Sequence, residues 1–149
     1  MPYRIIGDQK ARALEWATTR FPDTPYEPYW GEWCETLIHE HDGEILAVVI
    51  FNNLFPNNSV DMHVASAPGS RWLTRDFLGV TFCYPFLQLD LRRVNAKVGA
   101  NNTAVIRFLT KLGFTHEGTH PEAWDAGVDL LSFGLLKKDC RFLGKSFHG

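Results

Sequence analysis

Residues Asn101 to Phe114 read NNTAVIRFLTKLGF. Val105, Phe108, Leu109 and Leu112 recur at i, i+3, i+4 and i+7, the spacing of one apolar helix face. Asn101 or Asn102 suits the cap, because a short polar side chain there accepts from an N–H that the helix leaves without a partner. Lys111 suits the last turn, where a cation meets the negative end of the helix dipole. Gly113 is placed to end the helix, since glycine enters the left-handed region without a Cβ clash. Just before this helix, RRVNAKVGA (92–100) reads as a strand. Just after it, HEGTHPEAW and VDLLSFGLL make two more across Asp125-Ala126-Gly127.

Further upstream, Leu73, Phe77, Val80, Tyr84 and Leu87 in LTRDFLGVTFCYPFLQL recur at helical spacing, so a second helix is expected there, kinked near Pro85. VDMHVAS alternates, with Val60, Met62 and Val64 on one face and Asp61, His63 and Ala65 on the other. CETLIHEH and EILAVVIFN flank Asp42-Gly43, a strong hairpin signal. Asp8 can cap a first helix carrying Ala11, Leu14, Glu15 and Ala17, ended by the prolines of FPDTPYEPYW (21–30). A helix, an antiparallel meander, then helix, strand, helix and two strands imply a mixed sheet containing one parallel pair. The expected class is an α+β or α/β sandwich with helices on the sheet faces.

The chain has 149 residues, 45% of them apolar and 13% aromatic, which suits one compact domain over 1–149. Lys+Arg number 15 against Asp+Glu 17, a formal charge of -2, so no general attraction to nucleic acid or anionic membrane is built in. The odd, scattered cysteines Cys34, Cys83 and Cys140 fit buried thiols of a reducing compartment. MPYRIIGDQK lacks a signal-like apolar run, and no stretch approaches membrane-span length, so the expectation is a soluble, cytoplasmic protein without a membrane partner.

NNTAVIRFLTKLGFTHEG, followed by DLLSFGLLKKDCR, resembles the C-terminal part of the GCN5-related N-acetyltransferases (GNAT), nearest to the branch acting on protein N-termini, including ribosomal proteins, and small amines. In that family an asparagine opens the helix after the fifth strand, K-L-G-F ends it, and E-G follows. Here these are Asn102, Lys111 to Phe114, and Glu117-Gly118. The resemblance implies a mixed, mostly antiparallel twisted sheet with a splayed parallel pair and helices on both faces. It further implies acetyl-CoA as co-substrate, no metal, a primary amine of a small molecule or protein as acceptor, and a possible homodimer.

The implied site follows residue by residue. Backbone groups of Val64, Ala65 and Ser66 would hold the pantetheine arm as an added strand holds to a sheet edge. The family's phosphate loop, Q/R-x-x-G-x-G/A, would fall in APGSRWLTRDF (67–77), where only Gly69 is a glycine. Arg71, Trp72, Leu73, Thr74 and Arg75 would then bind pyrophosphate through backbone N–H groups, the helix start and two cationic side chains. Asn102 would touch the coenzyme or a water while also capping.

Acetyl transfer also needs a base, because a lysine-like amine is about 99.9% protonated at pH 7. Asp61 and His63 share a strand face, and His63 has the better ordinary pKa for the task. Glu122, His120, Glu27 and Glu32 are further candidates. Many family members carry a tyrosine as acid seven residues after the asparagine, where this chain has Leu109. Tyr84 belongs to another helix, as core. His39 and His41 share a strand face but have no third ligand at metal-site spacing. Trp30, Trp33, Tyr26 and Tyr29 either line an acceptor pocket or pack on the sheet. Two other functions stay open: a catalytically idle acyl-CoA-binding or protein-interaction module, and acyl transfer to a nucleobase or nucleotide.

Overall fold

The computed structural model describes residues 3–20 and 30–143. Its frame is a seven-stranded sheet laid down by the alternation seen in the sequence. β2 (Cys34–His41) and β3 (Glu44–Phe55) pair antiparallel across Asp42 and Gly43, whose φ of 54° and 80° suit the primed turn that matches strand twist. β4 (Ser59–Ser66) returns along β3. β5 (Arg93–Gly99) joins β4 in parallel, and β6 (Thr115–Asp125) and β7 (Val128–Leu136) close the far side. β1 (Tyr3–Ile6) adds to the edge of β2, giving the order β1-β2-β3-β4-β5-β7-β6. No strand was expected before the first helix. Four residues are too few for alternation to show, and β1 owes its conformation to pairing with β2.

The parallel pair holds for three rungs only, Ser59↔Arg93, Val60↔Val94 and Asp61↔Asn95. Beyond Asp61, β4 stays with β3, whereas β5 stays with β7 as far as Gly99↔Leu130. The sheet therefore splits into a V between the C-terminal halves of β4 and β5.

Helices cover both faces. α1 (Lys10–Thr18) sets Ala13 and Ala17 on Ile6, Ile38, Val48, Ile50 and Ala65. Its cap position is Gln9 rather than Asp8, and no side chain caps it. Strand β1 and the bend after it end so close to α1 that the helix starts one residue later than the Asp8 reading requires.

α2 (Arg75–Cys83) and α3 (Thr103–Leu112) lie on the other face, over Val49, Phe51, Val60, Met62 and Val94. Leu73 stays outside α2, and Thr74 caps it, with Oγ1 accepting from Phe77 N at 3.1 Å. Pro85, which has no N–H to give, falls in a π-helical turn, Tyr84–Gln88, closed by Leu89 N donating to Tyr84 O. The buried side of this helix is Phe77, Thr81, Phe82 and Phe86. Val80 and Leu87 of the expected stripe are 40% and 43% exposed. Aromatic volume decides the orientation, since each buried phenylalanine is worth about 1.5–3 kcal/mol.

α3 matches its sequence closely. Asn102 Oδ1 accepts from Val105 N at 3.2 Å, Gly113 has φ 102°, and Phe114 N donates to Leu109 O. Leu109 and Leu112 are buried, Phe108 is half-buried, and Val105 is exposed.

Candidate active site

The V between β4 and β5 is lined by backbone as well as side chains. Ala67 N donates to Leu46 O at 2.8 Å, which fixes the phase of the β3–β4 ladder. Backbone groups of an antiparallel strand alternate in direction, so those of residues 61, 63 and 65 face β3. Those of Val64 and Ser66 face the gap, while Ala65, expected to act alongside them, turns its own toward β3.

Alternation also puts the side chains of Asp61 and His63 on the α1 side of the sheet. Asp61 is only 8% exposed. Its Oδ2 accepts from Asn53 Nδ2 at 2.9 Å and its Oδ1 from Asn95 Nδ2 at 3.1 Å, with Lys97 Nζ 3.9 Å away. Arg93 Nε donates to Asn95 Oδ1 at 2.7 Å, and its guanidinium pairs with Glu117 of β6. Gly134 leaves room for that pair, because a Cβ there would collide with both side chains. Asp61 and Asn95 form the last parallel rung, so this network fastens the point where the strands part.

His63 lies two residues further into the V. Its Nε2 is 2.8 Å from Asn52 Oδ1, and its ring stands roughly perpendicular to the Trp30 indole, with the ring centroids 5.0 Å apart. Burial, outweighing the opposing pull of Asp61, lowers its pKa from 6.5 to about 4, with Lys97 adding to the lowering. The ordinary imidazole pKa that favoured His63 in the sequence is therefore not kept, and the ring is neutral at pH 7.

At the mouth of the V, Pro68 and Gly69 fill the centre of a turn closed by Ser70 N donating to Ala67 O, with Gly69 at φ 73°. The one glycine of the expected phosphate loop thus serves the turn before it. Trp72 rests its ring on Phe77 and Phe108, and its carbonyl accepts from Nδ1 of the buried His39 at 2.8 Å. Leu73 is exposed, and Thr74 is used as the α2 cap. Arg71 and Arg75 are exposed, and among the described residues neither enters an ion pair. Beside them lie the N–H groups of the first turn of α2, which no helical carbonyl can reach.

Across the V, Asn102 caps α3 directly after β5. Here β6 contributes Trp124, which the sequence did not single out. A Cβ on Gly99 would sit 2.6 Å from the Trp124 indole, so the ring lies flush on the end of β5. Gly99→Ala is expected to cost about 1–3 kcal/mol by overpacking and to change Trp124 fluorescence. An unaltered melting temperature would contradict that contact.

Other candidates fall elsewhere. Glu122 Oε1 accepts from Gly127 N at 2.8 Å within the β6–β7 hairpin, and His120 Nε2 is 3.3 Å from Ser132 Oγ. Glu32 is exposed, and Trp33 packs on the α2-side core. Glu27, Tyr26 and Tyr29 lie outside the described residues. Leu109 faces the core, so the tyrosine position of the family offers no hydroxyl here. Tyr84 is only part-buried and lines a groove of about 650 Å³ between α2 and β1–β3, to which no member of the Asp61–His63 cluster contributes. His39 and His41 flank Tyr3, and no group of three metal-ligating side chains occurs among the described residues.

A sheet that opens between a parallel pair, with a helix starting on each side of the opening, has close counterparts among solved structures. A mutant form of the spermidine N-acetyltransferase SpeG from Vibrio cholerae superposes with a TM-score of 0.75, covering 97% of this chain and 98% of that one at 14% identity. The chain has the GNAT fold. A dodecameric structure of the Vibrio cholerae spermidine N-acetyltransferase matches this GNAT fold at TM-score 0.74 and 13% identity, over 91% of this chain and 94% of its own. A probable acetyltransferase matches at 0.61 and 20% identity, over 70% and 63%. No family model and no curated protein matches the sequence. Identities this low speak for the fold alone. No helix among the described residues is long and apolar enough to cross a membrane.

Proposed function

We propose that the protein is an acetyl-CoA-dependent N-acetyltransferase acting on a primary amine of a small molecule or protein. The observation that carries this reading is the V between β4 and β5, with the Val64 and Ser66 backbone groups turned into it. A pantetheine arm carries amide donors and acceptors, and it can extend β4 as a further strand would. Its pyrophosphate would lie at the α2 N-terminus, near Arg71 and Arg75. Asn102 and Trp124 would flank the thioester.

The amine nitrogen then bonds to the acetyl carbon, and a backbone N–H of β4 steadies the oxyanion. The C–S bond breaks with its electron pair going to sulfur. The nitrogen loses its proton to His63, which is two residues beyond the network that fixes Asp61. With Leu109 in the core, the thiolate takes its proton from water. An idle coenzyme-binding module is the rival reading favoured by Leu109, and turnover of any amine removes it. The net charge of -2 disfavours a nucleotide acceptor.

Calorimetry with acetyl-CoA tests the reading, and saturable binding is expected; none at near-millimolar coenzyme would sink it. Asn102→Ala is expected to weaken that binding while costing about 1 kcal/mol of stability through the lost cap. Undiminished affinity would leave Asn102 as a cap and no more.

A further inference from the structure

We infer that Asn52 is a positioning residue that holds His63 as the Nε2–H tautomer, making Nδ1 the atom that takes the proton from the amine. This rests on the acetyl-transfer reading and adds which atom acts and what orients it.

Asn52 is 4% exposed, so both ends of its amide must find partners inside the protein. Nδ2 donates to the Trp30 carbonyl at 3.3 Å. A carbonyl can only accept, so the NH2 end of the amide faces Trp30 and Oδ1 faces His63 Nε2 at 2.8 Å. Oδ1 can only accept as well. The hydrogen in that contact therefore belongs to His63 Nε2. A neutral imidazole has one N–H, which leaves the lone pair on Nδ1, and among the described residues Nδ1 has no hydrogen-bond partner. Burial keeps the ring neutral, against Asp61 and alongside Lys97, the two charged groups that act on it.

The local backbone explains how adjacent asparagines reach one cluster. The β3–β4 register slips after Asn52, and Asn53 takes φ 53°. Asn53 thus turns its amide to Asp61 while Asn52 keeps the in-register direction toward His63. In the reaction the new C–N bond forms, the N–H proton passes to the Nδ1 lone pair, and Nε2–H goes on donating to Asn52 Oδ1. The imidazolium then returns the Nδ1 proton to water.

Nitrogen-15 spectra of histidine-labelled protein at pH 7 read the tautomer directly. His63 is expected to show a protonated Nε2 and a bare Nδ1. Asn52→Leu is expected to scramble that pattern and lower kcat about 10-fold or more, leaving acetyl-CoA affinity unchanged. Asn52→Asp, which keeps the acceptor, is expected to restore the Nε2–H signature and most of kcat. Its added charge should also raise the histidine pKa, bringing an acid limb into the rate profile. A wild-type Nδ1–H spectrum alongside turnover overturns the Asn52 assignment alone. So does Asn52→Leu with unchanged tautomer and kcat. A wild-type Nε2–H spectrum with no turnover of any amine overturns the acetyl-transfer reading, and the role of Asn52 with it. Should Asn52→Leu fail to fold, the wild-type spectrum and Asn52→Asp still decide.

Discussion

Replacing His63 by alanine is expected to lower amine acetylation about 100-fold at pH 7, the smaller end of what a positioned base contributes. Acetyl-CoA should bind as before, because His63 lies on the α1 side of β4 and the proposed coenzyme contacts are backbone groups of Val64 and Ser66. The pH profile carries more information than the single rate. With a pKa of about 4, the imidazole is already in its free-base form from about pH 5 upward. The wild-type kcat/KM should therefore show no limb near 6.5 and should rise toward the pKa of the substrate amine, about 10 for a lysine-like group. So weak a base takes the proton only once C–N bond formation has made the nitrogen acidic. Equal rates for mutant and wild type from about pH 6 to about pH 9 would remove His63 as the base. A wild-type limb near 6.5 would instead mean that the ring is hydrated in the working enzyme.

What could be read from sequence depended on how local its cause was. The cap, stripe and Gly113 end of α3 are set within fourteen residues, and the Asp42-Gly43 hairpin within two, so both were legible. Strand order implied the parallel pair, and the splay of β4 from β5 was implied by the family resemblance alone. Long-range pairing was not legible. Asp61 finds Asn95 across 34 positions and His63 finds Asn52 across 11, and no periodicity announces an acceptor that far away. One sign was available. Arg93, Asn95 and Lys97 alternate with Val94, Ala96 and Val98 along a central strand, and a polar row beside such a strand needs partners inside the fold. The role of Gly69 was hidden for a related reason: the sequence shows a lone glycine in the expected phosphate loop, whereas its positive φ serves the Ala67–Ser70 turn that it shares with Pro68. Similarly, Val80 and Leu87 obey helical spacing as well as Phe82 and Phe86 do, and only packing against the sheet selects the aromatic side.

Acid should unfold this protein through its buried imidazoles, and His63 sets the pH window. Its folded pKa of about 4 lies below the 6.5 of an unfolded chain. Between these values the unfolded chain takes up a proton that the folded chain refuses, so stability falls as pH drops through the window and is level above it. At about 1.4 kcal/mol per unit, the loss by pH 4 is roughly 3 kcal/mol at most, a large share of the 5–15 kcal/mol typical of a domain. His39 acts with the same sign, since burial outweighs its bond to the Trp72 carbonyl and lowers its pKa too. Urea unfolding at a series of pH values measures the slope, and His63→Gln isolates the His63 share. Glutamine places an N–H near the Nε2 position, so it can still donate to Asn52 Oδ1, but it cannot titrate. The variant is expected to lose markedly less stability than wild type between pH 6.5 and pH 4. Parallel losses in the two proteins would show that His63 accepts its proton in the folded state at an ordinary pKa, and would return it to the role of a conventional neutral-pH base.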